Sequence, residues 1–552
     1  MDPTLLDRAR TWQAEDPDPQ TSTELATLID AAAAGDATAQ QELADAFAGT
    51  LTFGTAGLRG PVGPGPNRMN VVVVARAAAG LGAYLAARGG GSVVVGHDAR
   101  HGSAEFALVT AQVLSGAGIE VLMLPPLSPT PLLAFSIRRL GCAAGVMVTA
   151  SHNPSGDNGY KVYLGDGVQI VPPADAEISA CIAEATARGP VDLLPRGTGW
   201  TELDDAIVED YVATTAALLE PGVPVATRVA YTPVHGVGGP IFRRLFDAAG
   251  LLEPVVVESQ FTPDPDFGGM PFPNPEEPGV MDAVLALASE QGCDVAIAND
   301  PDADRCAIGV PTPDGWRVLS GDEVGWLLGW WITSGNRRSP DRSVLAQSIV
   351  SGSMLKAIAD DAAAPYAQTL TGFKWIGRVP NLAFGYEEAL GYCVNPTAVA
   401  DKDGMSAGLL VAEMVGRLSE RGTSALEILD ELAERHGAYA TGQVSVRHAD
   451  PARIVGLMTA LRQQPPATMG GSTVLQVDDL ENPSDGLPPT DGLRFTLADD
   501  GRVIVRPSGT EAKIKSYLQV RVPVVDADLD AARRTAAARI TALKADLATL
   551  LA

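Results

Sequence analysis

Three aspartates at alternate positions, Asp300, Asp302 and Asp304 in NDPDADR, carry the strongest chemical signal in the chain. Pro301 keeps the run out of a helix, and carboxylates this close repel one another unless a cation neutralises them. A hard divalent ion with oxygen ligands fits, and three protein ligands leave coordination positions open for a phosphate oxygen. An EF-hand is excluded, because its sixth position would be Arg305 instead of glycine and its twelfth Pro311 instead of glutamate. The plainer alternative is a solvated acidic loop. Against it, the run follows the apolar VAIA, which reads as a buried strand.

The second signal is GVMVTASHNPSGDNGYKVY (145–163), where an apolar run stops at Thr149 and Ser151 follows at once. A hydrolase nucleophile calls for G-x-S-x-G, which ASHNP is not. The six histidines show no paired ligand spacing, which argues against a two-zinc phosphatase. In an extended segment His152 points away from Ser151 and need not be its base. A serine exchanging phosphoryl groups beside a metal held by the three aspartates fits better. Taken alone, a serine here is more often a helix N-cap or turn residue.

Weaker signals surround these two. RPSGTEAKIK (506–515) sets Arg506, Ser508, Thr510 and Lys513 around Gly509, a loop that would open a helix and bind phosphate, or a plain capped turn. In GYEEALG, Glu387 and Glu388 are either acceptors for sugar hydroxyls or solvated surface groups. DKDG (401–404) and TGFKWIG (371–377) add Lys402 and Lys374, and GTAGLRG (54–60) places Arg59 beside a glycine-rich turn.

The elements that must position these residues follow from periodicity. Residues 1–50 read as an N-terminal helical arm. From Leu51, strand and helix patterns alternate, which predicts mainly parallel sheets with helices on both faces. The rhythm recurs three times, in 51–215, 216–325 and 326–436, and each time an apolar run ends in a polar loop: TASHNP, NDPDADR, GYEEALG. Ligands gather beyond the carboxyl ends of such strands. Residues 437–552 read as a smaller α+β domain, with a turn at Asp499-Asp500-Gly501.

Bulk properties bound the function. At 552 residues with 46% hydrophobic content, the chain holds several globular domains. Its formal charge of −27 argues against nucleic acid and anionic membrane as partners, so an anionic substrate needs a local cationic pocket. Five scattered cysteines without a C-x-x-C pair suit a reducing compartment. No leader pattern is legible at the start, and GWLLGWWI (325–332) is too short to span a bilayer. A cytoplasmic protein is expected.

TASHNPSGDNGYK, NDPDADR, GYEEALG and RPSGTE, in that order, make the chain resemble the α-D-phosphohexomutase superfamily over residues 50–525. GTAGLRG and GFKWIG are most similar to its phosphoglucomutase/phosphopentomutase branch. The resemblance implies three related mixed α/β sheet domains and a C-terminal α+β domain of the TATA-binding-protein-like type around one central cleft. It implies a phosphoserine at Ser151, Mg2+ held by Asp300, Asp302, Asp304 and that phosphoserine, and glucose 1,6-bisphosphate as intermediate and activator. By the same resemblance, Lys161 is a general acid or base, and Arg59 and His152 stand beside the phosphoserine. Arg305, Thr371, Gly372, Lys374, Glu387 and Lys402 contact the sugar phosphate, and Arg506, Ser508, Gly509 and Thr510 clamp its distal phosphate. Two departures concern the sugar. Ala389 stands where many relatives have serine, and Gly391 where some have histidine, so that Lys402 would supply a cation instead. The implied reaction interconverts glucose 1-phosphate and glucose 6-phosphate, with mannose and pentose phosphates as alternatives, in a monomer or homodimer. Two other classes stay open: a non-catalytic phosphosugar-binding protein, and a mutase using an aspartate nucleophile in DPDAD, to which Arg305 is ill suited.

Overall fold

Two polar loops follow buried strands at once, and their shortness decides the sheet topology. The computed structural model describes residues 3–54, 57–219, 226–334, 343–448, 450–507 and 513–551. It divides into a unit of residues 1–318 with 391–416 and a unit of residues 319–390 with 417–552.

In the first unit one sheet contains β1 (Leu58–Pro61), β2 (Ser92–His97), β3 (Glu120–Met123), β4 (Ala144–Val148), β5 (Asp157–Leu164) and β6 (Trp200–Glu202), in the order β1-β5-β4-β2-β3-β6. β4, β2, β3 and β6 are parallel, joined by helical crossovers. β5 breaks that pattern. Only residues 149–156 separate it from β4, too few for a parallel crossover, so it returns antiparallel with Lys161 opposite Met147.

The second sheet repeats the device. β7 (Val229–Thr232), β8 (Val255–Val256), β9 (Val295–Asn299), β10 (Cys306–Thr312) and β11 (Gly315–Val318) lie in the order β11-β10-β9-β7-β8. β7, β8 and β9 are parallel, whereas β10 returns antiparallel to β9 after the aspartate loop. The sheets are therefore mixed, as the family resemblance implies, and the mainly parallel reading of the periodicity gives way only at the antiparallel returns after β4 and β9.

The helices Pro3–Glu15, Pro19–Ala33 and Ala37–Ala46 precede the first sheet, the last two capped by Asp18 and Asp36. Their Trp12, Leu25, Ile29 and Leu43 share one core with Val93, Val95 and Val146.

The second unit holds the parallel strands β12 (Val344–Ser348), β13 (Tyr366–Thr369) and β14 (Leu382–Glu387). The chain then returns to the first unit as β15 (Gly391–Cys393), where Gly391 bridges Arg305. Beyond residue 416 comes an antiparallel sheet of β16 (Ala438–Arg447), β17 (Thr468–Met469), β18 (Ser472–Asp479), β19 (Leu493–Leu497), β20 (Arg502–Pro507) and β21 (Lys513–Val522), ordered β16-β21-β20-β19-β18-β17. Helices Pro451–Gln463 and Leu529–Leu550 belong to the same domain, whose core includes Phe495, Val503, Leu518 and Leu543. The turn read at Asp499-Asp500-Gly501 joins β19 to β20, with Asp500 left-handed at φ 59°.

Candidate active site

β4 delivers Ser151 and β9 delivers the aspartates, and within the first unit the two loops meet. Ser151 Oγ donates to Asp300 Oδ2 at 2.7 Å. Ser151 adopts a left-handed backbone at φ 54°, and its N–H donates to Thr149 Oγ1 at 2.9 Å. The strand alternation that was to turn His152 away does not survive that φ, and His152 Nδ1 lies 3.1 Å from Ser151 Oγ. Burial, followed by the charges of Arg305 and Arg59, drives the His152 pKa well below its ordinary value, so the ring is neutral.

Asp300, Asp302 and Asp304 are all buried. One carboxylate oxygen from each lies within 4.8 Å of the others. Lys161, returned by β5, puts Nζ 2.7 Å from Asp302 Oδ2 and 3.0 Å from Asp304 Oδ2. Lys402 Nζ stands 3.3 Å from the same Asp304 oxygen. Thr130, opening the helix Thr130–Leu140, donates from Oγ1 to Asp302 Oδ2 at 2.6 Å and from N to Asp302 O at 3.0 Å. Asp302 Oδ1 and Asp304 Oδ1 are buried with no hydrogen-bond partner among the described residues. Orphaned oxygens in a carboxylate trio are what a hard divalent cation would satisfy, so the residues fit a metal ion.

The electrostatics divide the trio. Burial and the neighbouring Asp302 and Asp304 hold the Asp300 carboxyl well above the usual carboxylate range. Burial would raise Asp304 too, but Lys161, Lys402 and Arg305 prevail and hold it below that range. For Lys161 burial favours the neutral amine, yet Asp302 and Asp304 outweigh it and keep an ammonium.

Arg59 on β1 donates from Nη1 to Asn153 Oδ1 at 3.3 Å, on the Ser151 loop. Arg305 N donates to Asp300 Oδ1 at 3.0 Å, and its guanidinium lies 3.5 Å from Glu276. Two glycines press on the aspartate loop. A Cβ at Gly236 would stand 2.3 Å from Pro301 Cα, and one at Gly404 would stand 2.1 Å from Arg305 O.

The second unit holds the remaining expected residues. Glu387 Oε1 accepts from Gly372 N at 2.5 Å, with Gly372 at φ 112°. Thr371 Oγ1 is buried without a hydrogen-bond partner among the described residues, and Lys374 is half-buried in the one-turn helix Phe373–Ile376. Glu388 accepts from Ser351 Oγ at 2.9 Å and Ser348 Oγ at 3.2 Å. Burial, then Glu387 and Asp322, push its carboxyl up to about 7. Arg506 lies half-buried on β20, while Ser508, Gly509 and Thr510 fall outside the described residues.

Thr130, Ser348 and Ser351 carry no chemical signal in the sequence. The one hint for Thr130 is the helix-opening pattern SPTP (128–131).

Four family models for phosphoglucomutase/phosphomannomutase match in succession: α/β/α domain I over residues 50–189, domain II over 209–314, domain III over 320–436 and the C-terminal domain over 462–540. The chain belongs to this family. It is thus an enzyme, an isomerase that transfers phosphate intramolecularly. A protein named probable phosphomannomutase, from Haemophilus influenzae, is 44% identical over 82% of this chain and 93% of its own length. A probable phosphoribomutase from Schizosaccharomyces pombe is 35% identical over 94% of each chain. The crystal structure of a phosphoglucomutase/phosphomannomutase family protein from Burkholderia thailandensis, at 21% identity, shares the fold with a TM-score of 0.68 over 90% of this chain and 97% of its own.

Proposed function

We propose that the chain interconverts glucose 1-phosphate and glucose 6-phosphate through a phosphoserine at Ser151 and a glucose 1,6-bisphosphate intermediate. The observation that carries this reading is the 2.7 Å contact of Ser151 Oγ with Asp300 in the aspartate loop. A phosphoryl group on that oxygen would stand beside the carboxylates that fit a metal.

In the forward step a sugar hydroxyl oxygen bonds to phosphorus as the P–Oγ bond to Ser151 breaks. The proton lost by that hydroxyl passes first to the neutral ring of His152 and from there to the departing Ser151 Oγ, so the step neither consumes nor releases a proton. The second half-reaction returns the sugar's other phosphoryl group to Ser151. Lys161, held as an ammonium, donates hydrogen bonds to the transferring oxygens. His152, neutral and 3.1 Å from Oγ, exchanges the proton there. Arg59 and Arg305 hold the anion in a protein of net charge −27. A Mg2+ ion on Asp300, Asp302 and Asp304 would neutralise charge on the phosphoryl oxygens. The family resemblance assigns the sugar hydroxyls to Glu387 and Lys374, and the distal phosphate to Arg506, Ser508, Gly509 and Thr510.

The names of the similar proteins favour a second reading of substrate, mannose or pentose phosphates on the same machinery. A turnover assay across glucose, mannose, ribose and deoxyribose 1-phosphates, with trace glucose 1,6-bisphosphate, separates the two. Ser151→Ala is expected to abolish turnover of all four. Full activity in that variant would end the phosphoserine reading.

A further inference from the structure

GHDAR (96–100) leaves β2 as TASHNP leaves β4, with polar residues directly after a buried strand. Its arginine, Arg100, is 3% exposed. Its guanidinium binds four backbone carbonyls of the phosphoserine loop. Nη2 donates to Ser151 O and Asn153 O, both at 2.6 Å. Nη1 donates to Pro154 O at 2.7 Å and Asp157 O at 3.0 Å. The remaining edge faces Asp98, whose Oδ2 lies 3.4 Å from Nε, and the Phe267 ring covers one face at 4.8 Å.

Burying a guanidinium is costly unless its donors are satisfied, and inward-turned carbonyls are costly without donors. Nη1 and Nη2 meet that need for the four carbonyls, while Nε, without a hydrogen bond among the described residues, is balanced by the Asp98 charge. The consequence falls on Ser151. Its carbonyl is held by Arg100 and its N–H by Thr149 Oγ1, so both polar backbone groups of the residue are fixed. With φ held at 54°, only the side-chain torsion is left to place Oγ.

We propose that Arg100 is a positioning residue for phosphoryl transfer: by gathering four carbonyls of residues 151–157 it holds Ser151 in the left-handed conformation that presents Oγ to the aspartate loop. The inference rests on the reading of Ser151 as the phosphoryl carrier. Lysine keeps the charge but cannot fork to four oxygens.

The test compares wild type, Arg100→Lys, Asp98→Asn and Ser151→Ala. Melting midpoint, kcat and KM for glucose 1-phosphate are measured, with the rate at which intact mass gains one phosphate from glucose 1,6-bisphosphate. A misplacement of about 1 Å costs about 100-fold in rate. Arg100→Lys is therefore expected to lose about that factor in kcat and in phosphorylation rate, with KM within about threefold and a cooperative melt. Wild-type phosphorylation by this variant, or a loss matching only its unfolded fraction, would overturn the assignment. If Arg100→Lys does not fold, Asp98→Asn decides: a reduced kcat at unchanged KM and melting midpoint supports the proposal, and wild-type kcat overturns it. Ser151→Ala separates the two claims. Phosphate uptake by that variant removes the phosphoserine reading itself, whereas a silent Ser151→Ala beside a wild-type-like Arg100→Lys removes only the role of Arg100.

Discussion

At the scale of single residues, Lys161 stands between two carboxylates that fit a metal, and that position has a measurable cost. Removing one partner of a buried ion pair leaves an uncompensated charge worth about 3–5 kcal/mol. Lys161→Met is expected to destabilise the protein by that order in chelator, with Mg2+ restoring more stability than it adds to wild type; paired thermal melts check this. Glu388 gives a second expectation. Its carboxyl sits at about 7, above its value of 4.5 in the unfolded chain. A raised acid binds its proton more tightly when folded, so its contribution is complete below about pH 4.5 and is lost as pH rises through about 7. Glu388→Gln should flatten stability against pH across that window, read by urea midpoints at several pH values. The aspartate trio was legible from sequence because alternate carboxylates after an apolar run have few other uses. The orientation of His152 was not, because a left-handed φ at a serine leaves no mark in residue type. Neither was Thr130, whose partner Asp302 lies far along the chain.

Among the elements, the Ser151 loop and the aspartate loop are built alike. Each is a short return between a buried strand and an antiparallel neighbour, β4 to β5 and β9 to β10. Helix and strand periodicity made the strands before these loops readable. The reversal after them was legible only as a length too small for a crossover. The return by β5 also explains why Lys161 belongs with Ser151 despite the intervening residues. The aspartate loop is gripped by two glycines from different elements. Gly236→Ala or Gly404→Ala forces a methyl group onto the backbone of Pro301 or Arg305. Overpacking of this kind costs about 1–3 kcal/mol. Weaker divalent-ion affinity should accompany it, seen in denaturant midpoints and in calorimetric titration with Mg2+. Unchanged affinity in both variants would detach the glycines from the site.

For the molecule as a whole, the first unit is discontinuous, since residues 391–416 complete a body begun by residues 1–318. Several contacts tie that segment in, Lys402 with Asp304 among them. Tyr211 Oη donates to the Asp403 carboxylate, at 2.9 Å from its Oδ2, Thr227 Oγ1 donates to Ala412 O at 2.8 Å, and Gly391 bridges Arg305. A fragment ending at residue 318 is therefore expected to melt below the full chain and with reduced cooperativity by calorimetry. Hydrogen exchange should find its greatest loss of protection at residues 299–306. Periodicity, read in chain order, carries no sign of such interleaving.

The bridge from Gly391 to Arg305 bears on how the protein is made. A ribosome adds about 5–20 residues per second, so Gly404 is synthesised about 5–20 s after Asp304, which lies about 100 residues earlier. Throughout that interval the nascent aspartate loop lacks its later support, and a pause in translation between those two codons would prolong the time it is open to proteases and chaperones.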